Sequence, residues 1–240
     1  MFLTTFLTIS LLFYRANAFA SPSIPPPPSL SLPVWSLACP LCQTSSGFLT
    51  TIKETQTSMN IVTYAIPVSV APPKLWVVSL YKTTLTKRAF VDSNVGILQL
   101  LSPSQSKLVP ILGKRSGYEK GFSKREACAD LDAVQDVMWR QYRDCAVLPS
   151  STEEEGTTNE DKLLQTMDVL PNCVSYIKLK LLSTFDAGDH DVALCEVIGT
   201  GEWLKESNQL KIHGKDNVPA APKDQRTVLY SGQLREEGII

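Results

Sequence analysis

The stretch that decides the reading of this chain is TSMNIVTYAIPVSVAPPKLWVVSLYKTTLTKRAFVD, residues Thr57 to Asp92. Met59 to Ala65 alternates in the manner of a half-buried strand, and Leu75 to Tyr81 is β-branched and aromatic. Pro67 and the Pro72-Pro73 corner bar continuous pairing between them, so the chain must bend there. Lys82-Thr83-Thr84-x-Thr86 then opens a helix, with Thr84 as its N-cap and Val91 near its end. Hydroxyls, a lysine and a helix N-terminus in one place make an anion cradle, because unpaired backbone N–H groups and the helix dipole both favour a phosphate.

Downstream, Gly96 to Leu101 reads as the next strand. Ser102, Pro103 and Gln105 form a helix start with a capping box, stopping near Pro110 to Gly113. Gly113-Lys-Arg-Ser-Gly117 lacks the spacing of a P-loop. Ser123-x-x-Glu126 opens a second capped helix, with Leu131, Val134, Met138 and Tyr142 at helical spacing. Ser150 to Asp161 reads as an acidic, solvated loop. Cys173 to Phe185 and His190 to Trp203 form a hairpin around the Asp186-Ala-Gly-Asp189 turn. In the first of these strands Ile177, Leu179 and Leu181 face one side, and Lys178 and Lys180 the other. Arg226 to Tyr230 reads as a last short strand and Gly232 to Glu237 as a last helical turn. Long strands in hairpin relation favour a closed antiparallel sheet, a small barrel.

The whole chain has 240 residues, 43% apolar and 20% charged, with a formal net charge of −1. It carries no overall electrostatic footprint for nucleic acid. Six cysteines in this length make no disulfide scaffold, and two histidines leave little room for a His-rich metal site. Cys39-Pro-Leu-Cys42 is half of a zinc pattern without its other half, so no metal is expected. There is no Ser-His-Asp signature, no dinucleotide glycine fingerprint, and no membrane span in the mature region.

The N-terminus reads as address rather than fold. Residues 1–18 are apolar up to Arg15 and end in Ala16-Asn17-Ala18, a signal-peptide pattern. Residues 19–50 are rich in Ser and Pro, with a polyproline run at Pro25 to Pro28. This two-part leader points to a plastid, with secretion as the alternative. The mature chain is expected to start between about Ser36 and Lys53. The folded domain is then 51–240, carrying a helical and acidic insertion at 118–170.

Three segments together resemble the flavin reductase-like, FMN-binding split-barrel proteins. They are Asn60-Ile-Val-Thr-Tyr-Ala-x-Pro-Val-Ser69 with Pro72-Pro73 and Ser79-Leu-Tyr-Lys-Thr-Thr-x-Thr86; Asp186-Ala-Gly-Asp-His190 with Glu196-Val197; and Val228-Leu-Tyr-Ser-Gly232. The resemblance implies a mainly β fold: a six-stranded antiparallel Greek-key split barrel with a few peripheral helices. It implies a homodimer holding non-covalent FMN between subunits. Asn60 would contact the cofactor, Thr63, Tyr64 and Ala65 would lie along the ring, Ser79, Leu80 and Tyr81 would continue the ring and ribityl contacts, and Lys82, Thr84 and Thr86 would hold the phosphate. His190 would sit near the ring as the catalytic candidate, where the nicotinamide of NADH or NADPH would stack. Taken alone, Thr84 is a helix cap, Lys82 a solvated charge and His190 a turn residue.

The implied function is an NAD(P)H-dependent flavin oxidoreductase that passes electrons to an unidentified acceptor. The alternatives are an FMN-binding or electron-carrier protein without a nicotinamide site, and an oxygen-dependent enzyme acting on pyridoxamine phosphate or haem. The chain departs from the family where Thr63-Tyr64-Ala65 replaces a smaller Thr-Ala-Ser-type run, and where Gln99 stands near a frequent Asn. The 118–170 segment, longer than the usual connection, has three readings: a lid on the flavin, an extension of the dimer contact, or a block to nicotinamide access.

Overall fold

A computed structural model describes residues 31–41, 57–69, 71–131, 138–147, 158–214 and 227–240. The leader expected at 1–18 lies outside them, as do Cys42 and Val134.

The dominant element is a hairpin of two long strands, β9 (Ser175–Ala187) and β10 (His190–Leu204). Gly188, at φ +75, supplies the left-handed residue of its turn. The main strands before it are β1 (Trp35–Pro40), β2 (Thr57–Val62), β3 (Ala65–Pro67), β4 (Leu75–Tyr81) and β5 (Val95–Leu100). The path runs β2-β1-β5-β9-β10, with every pair antiparallel. β4 pairs with residues 190–196 of β10, and β3 pairs with β4. Because β3 continues β2 through Thr63 and Tyr64, the sheet curls back on itself.

β11 (Gln209–His213) pairs with residues 200–204 of β10. β4 and β11 thus share the edge of β10 that faces away from β9. The sheet holds nine strands rather than the expected six, and it is not wholly antiparallel. The two-residue β7 (Ala146–Val147) lies parallel to β11. The three extra strands are β3, split off from β2, and β11 and β7, of which β11 pairs with the far half of β10 and β7 lies beyond it.

The core has two parts. Inside the curl, Trp35, Leu37, Val62, Val78, Leu80, Leu98, Ile177, Leu179, Ala193 and Cys195 pack around Phe90 of α1 (Leu85–Ser93). Outside it, Ala38, Met59, Ile97, Leu101, Leu112, Leu164, Met167 and Trp203 pack under the helical layer. Along β9, Ile177 and Leu179 do face the inner core. Lys178 and Lys180 face the other way and pair with Asp161 and Glu160 at 2.9 and 2.7 Å.

The helical layer departs most from expectation. Gln105 does accept from the Ser102 N–H at 2.9 Å, but the segment it opens, Pro103–Leu108, is a 3-10 turn followed by a π turn at Pro110–Lys114. Ser123 does cap α2 (Lys124–Ala129), accepting from Glu126 N at 3.2 Å. That helix is only six residues long, and Tyr142 belongs instead to a separate turn, α3 (Tyr142–Cys145). Part of the expected acidic loop forms α4 (Asn159–Gln165). The expected strand near Tyr230 is a single bridge, Pro33 to Tyr230, before α5 (Ser231–Glu236). A two-residue ladder, β6 (Arg140–Gln141) with β8 (Asp168–Val169), closes the insertion. No helix among the described residues is long and apolar enough to cross a membrane.

The largest correction is β1. Residues 35–40 were expected in the linker, yet they lie between β2 and β5 with every residue buried. A strand covered on both faces shows no alternation, so it hides in a short apolar run. A chain cut between Ser36 and Lys53 would lose part or all of this strand. Its closeness to β5 is visible at Gly96, where a Cβ would stand 3.0 Å from Ala38 O and 3.1 Å from Cys39 Sγ.

Leu37 is fully buried, so Leu37→Ala is expected to destabilise the protein by about 2–5 kcal/mol, as for other core truncations. Urea unfolding of the purified protein checks this; an unchanged midpoint would remove β1 from the core.

Candidate functional site

One cleft opens where β2, β4, α1 and the start of β10 meet. It is lined by Asn60, Ile61, Val62, Thr63, Tyr64, Ser79, Leu80, Tyr81, Thr84, Thr86 and His190. Eight of the ten residues expected to bind the cofactor are therefore together, and His190 is with them. They come from chain positions up to 130 residues apart (Asn60 and His190).

The local reasons are visible. Tyr64 O accepts from Ser79 N at 2.9 Å, which extends the β3–β4 register back to the cleft. Tyr81 and His190 are direct register partners, with their rings edge-on at 5.2 Å. His190 Nδ1 lies 2.7 Å from Asp189 Oδ1, and this contact holds the Asp189 carboxyl below its ordinary range. The imidazole is thus fixed on one side by a carboxylate and on the other by a tyrosine ring.

The hydroxyl end is more occupied than the sequence implies. Thr84 is the N-cap of α1: its Oγ1 accepts from Lys87 N at 3.2 Å and donates to Tyr81 O at 2.9 Å. Thr86, on the buried face of α1, shares a 2.8 Å hydrogen bond with Ser58 Oγ. The donors left at this end are the N–H groups of Leu85 and Thr86, which begin α1 and have no acceptor within the helix.

Two expected residues stand elsewhere. Ala65 is buried in β3 opposite Val78, its methyl in the inner core. Lys82 does not line the cleft. Its ammonium pairs with Asp186 and lies 3.8 Å from Asp191, which also holds Lys87 at 2.9 Å. The Asp186 hydrogen bond raises the Lys82 pKa and lowers that of Asp186. The hairpin that delivers His190 thus brings the carboxylates that pair with both lysines, Asp186 from its turn and Asp191 from β10. Gln99 is also accounted for: fully buried, it accepts from Leu170 N at 2.7 Å and anchors the end of the insertion.

Lys124 was missed. It leaves α2 and donates to Leu112 O, Met59 O and Asn60 Oδ1 at 2.7, 3.1 and 3.2 Å. Its capping serine was legible, but contact with a cleft residue 64 positions away was not.

No family model matches this chain, and no curated protein matches it either. Solved structures similar to it are flavin reductases and FMN-binding proteins, the kinds of protein the sequence resembles. The FMN-binding protein of Thermus thermophilus is 13% identical, with TM-score 0.48, covering 91% of this chain and 100% of that one. The NADH:FAD oxidoreductase of Streptomyces globisporus is 13% identical, with TM-score 0.46, covering 80% and 88%. A Sinorhizobium meliloti chain provisionally named an oxidoreductase has the same identity and TM-score at 73% coverage, and this chain spans 45% of its length. Scores this low carry no functional argument, which rests instead on the residues of the cleft.

Thr86→Val removes the partner of a buried hydroxyl. It is expected to cost roughly 1–3 kcal/mol, read by urea unfolding; no loss would mean that the Ser58 hydroxyl finds water instead.

Proposed function

We propose that the cleft binds FMN and that the protein is an NAD(P)H-dependent flavin oxidoreductase built on a split barrel. The observation that carries this reading is the convergence of Asn60, Thr63, Tyr64, Ser79, Leu80, Tyr81, Thr84, Thr86 and His190 on one cleft. A flavin supplies the hydride-accepting chemistry, and the protein supplies orientation, access and electrostatics.

The residues present fit such a group. The N–H groups at the start of α1 suit a phosphate, since a dianion there meets both the unpaired donors and the helix dipole. Lys82 supports it as a neighbouring charge that can leave Asp186 for the phosphate; the pair is exposed, and exposed pairs hold weakly. Thr63 and Tyr64 lie along the seam between β2 and β3, where a planar ring can rest against the strand edge. His190, fixed by Asp189 and Tyr81, stands at the same cleft and can orient a nicotinamide or hold a proton at one ring nitrogen.

The cleft encloses only about 70 Å³, against the ~300–1,000 Å³ typical of a pocket that buries a ligand of this size. One chain would thus cover only part of a flavin. Beside the cleft, the outer face of the sheet is apolar. Tyr64, Ser79, Val192 and Phe185 form one row across four strands, with Ile66 and Val77 in the next. Tyr64, Ile66 and Phe185 are each more than half exposed. A patch of this kind marks an interface, and a second copy laid over it would complete the flavin pocket. The reading of an FMN carrier without a nicotinamide site shares all of this and differs only in lacking turnover.

The absorbance spectrum of protein reconstituted with FMN, then mixed with NADH or NADPH, tests the proposal. Bleaching of the flavin is expected; a bound flavin that never bleaches leaves the carrier, and no bound flavin ends the reading. His190→Ala is expected to lower turnover by more than tenfold while FMN stays bound, and an unchanged rate would remove the imidazole from the mechanism. Phe185→Glu is expected to yield a monomer in sedimentation with weakened FMN retention; a dimer that keeps its flavin would place the interface elsewhere.

A further inference from the structure

Among the described residues Lys124 has no carboxylate partner. Its three donors go to two backbone carbonyls and to the side-chain oxygen of Asn60, a cleft residue. An ammonium group only donates, so the Asn60 atom it touches must be the carbonyl oxygen. The amide is thereby fixed in one of its two orientations, leaving its NH₂ as the end free to meet a ligand. The lysine comes from α2, in the insertion. Immediately before the insertion, Gly117 approaches the start of α1, where a Cβ would stand 3.0 Å from Leu85.

We propose that Lys124 is a positioning residue for the cleft: it locks the Asn60 amide so that the site offers N–H donors to a carbonyl or phosphate oxygen of the ligand. The inference rests on the flavin reading for the identity of that ligand, and on this chain's own geometry for the lock. It gives the insertion a task distinct from lid, dimer arm or block.

The lock is sensitive to protonation. Burial pushes the Lys124 ammonium down to about 8. Once neutral, the amine can accept as well as donate, so the amide is released to turn over. The charged or titratable groups around it are few. On α2, Arg125 faces Asp168 at 3.5 Å, Glu126 is exposed, and Cys128 is a thiol that burial pushes up to about 11. In the π turn, Lys114 is bonded to Ile239 O. The bonded segment of β2, Met59 to Asn60, contributes no titratable side chain. The raised Cys128 thiol stays protonated between pH 7 and 9.

FMN affinity of the wild-type protein, Lys124→Met and Lys124→Arg, measured by flavin fluorescence from pH 7 to 9.5, tests this. At pH 7, Lys124→Met is expected to raise Kd about tenfold, the cost of one lost orienting bond. The wild-type Kd is expected to rise several-fold with a midpoint near 8. Both variants should give a flat profile, because neither side chain titrates there. Stability is expected to move the other way. A lysine whose folded pKa lies below its unfolded value leaves the unfolded chain with more bound protons between about 8 and 10.5, so unfolding becomes harder as pH rises. A lysine with only a structural role would not give weaker binding together with greater stability. A wild-type protein whose Kd follows the same profile as the variants overturns the lock. The ligand-free protein provides a separate reading: the Asn60 side-chain NH₂ pair in a nitrogen-15 NMR spectrum is expected to shift with a midpoint near 8. Failure to bind any flavin with that shift intact would sink the cofactor and keep the lock; a pair that does not move sinks the lock itself.

Discussion

One strand edge can be shared only once, and β10 is where that constraint acts. Its edge away from β9 serves β4 over residues 190–196 and β11 over residues 200–204. The change of partner falls at Val197 to Gly199, where the β9 register also slips and Val197 N turns to Lys74 O at 2.9 Å. Gly199 permits it: a Cβ there would stand 3.0 Å from His213 O. From this point β4 leaves with the curled half of the sheet and β11 with the helical layer. The cleft lies at the end of β10 that β4 keeps, with His190 as the first residue of the strand.

The electrostatics of that end follow from the same hairpin. The Asp186–Asp189 turn supplies two carboxylates and β10 a third at Asp191, against Lys82, Lys87 and a histidine. A phosphate at the start of α1 would meet helix N–H groups first and lysines already engaged. Lys124 is different, because the groups around it are dipoles. The two kinds of cation differ in what they hold: Lys82 and Lys87 pair with carboxylates of the hairpin, and Lys124 bonds to two carbonyls and an amide.

Much of this could be read from residues alone, where local chemistry and fold agree. The β9–β10 hairpin announces itself by alternation and by a turn that needs a left-handed glycine. Thr84, Ser102 and Ser123 all stand where helical segments start. The cleft residues were gathered by a pattern spread over Asn60 to His190. The failures share a cause: tertiary contacts that override local signals. β1 is buried on both faces, so its six residues carry no period and its Ser- and Pro-rich flanks disguise it. β11 was hidden by its position after a long strand. The run from Leu131 to Tyr142 has helical spacing, yet Met138 is exposed and Tyr142 begins another turn, packed beside Met167. Lys82 stands beside the cleft rather than in its lining, held by Asp186, 104 residues further on.

The way β1 begins bears on what a cut in the segment before it would do. Ser31 Oγ accepts from Gly232 N, Leu32 O from Ser231 N, and Val34 N donates to Leu229 O, so the approach to β1 and the approach to α5 form one clasp. A peptidase that trimmed the chain past Val34 would strip the opposite terminus of its anchoring bonds as well. A cut before β1 and the hold on α5 would therefore be coupled, and Ser31 to Val34 is the segment that any such cut would have to spare to leave both in place.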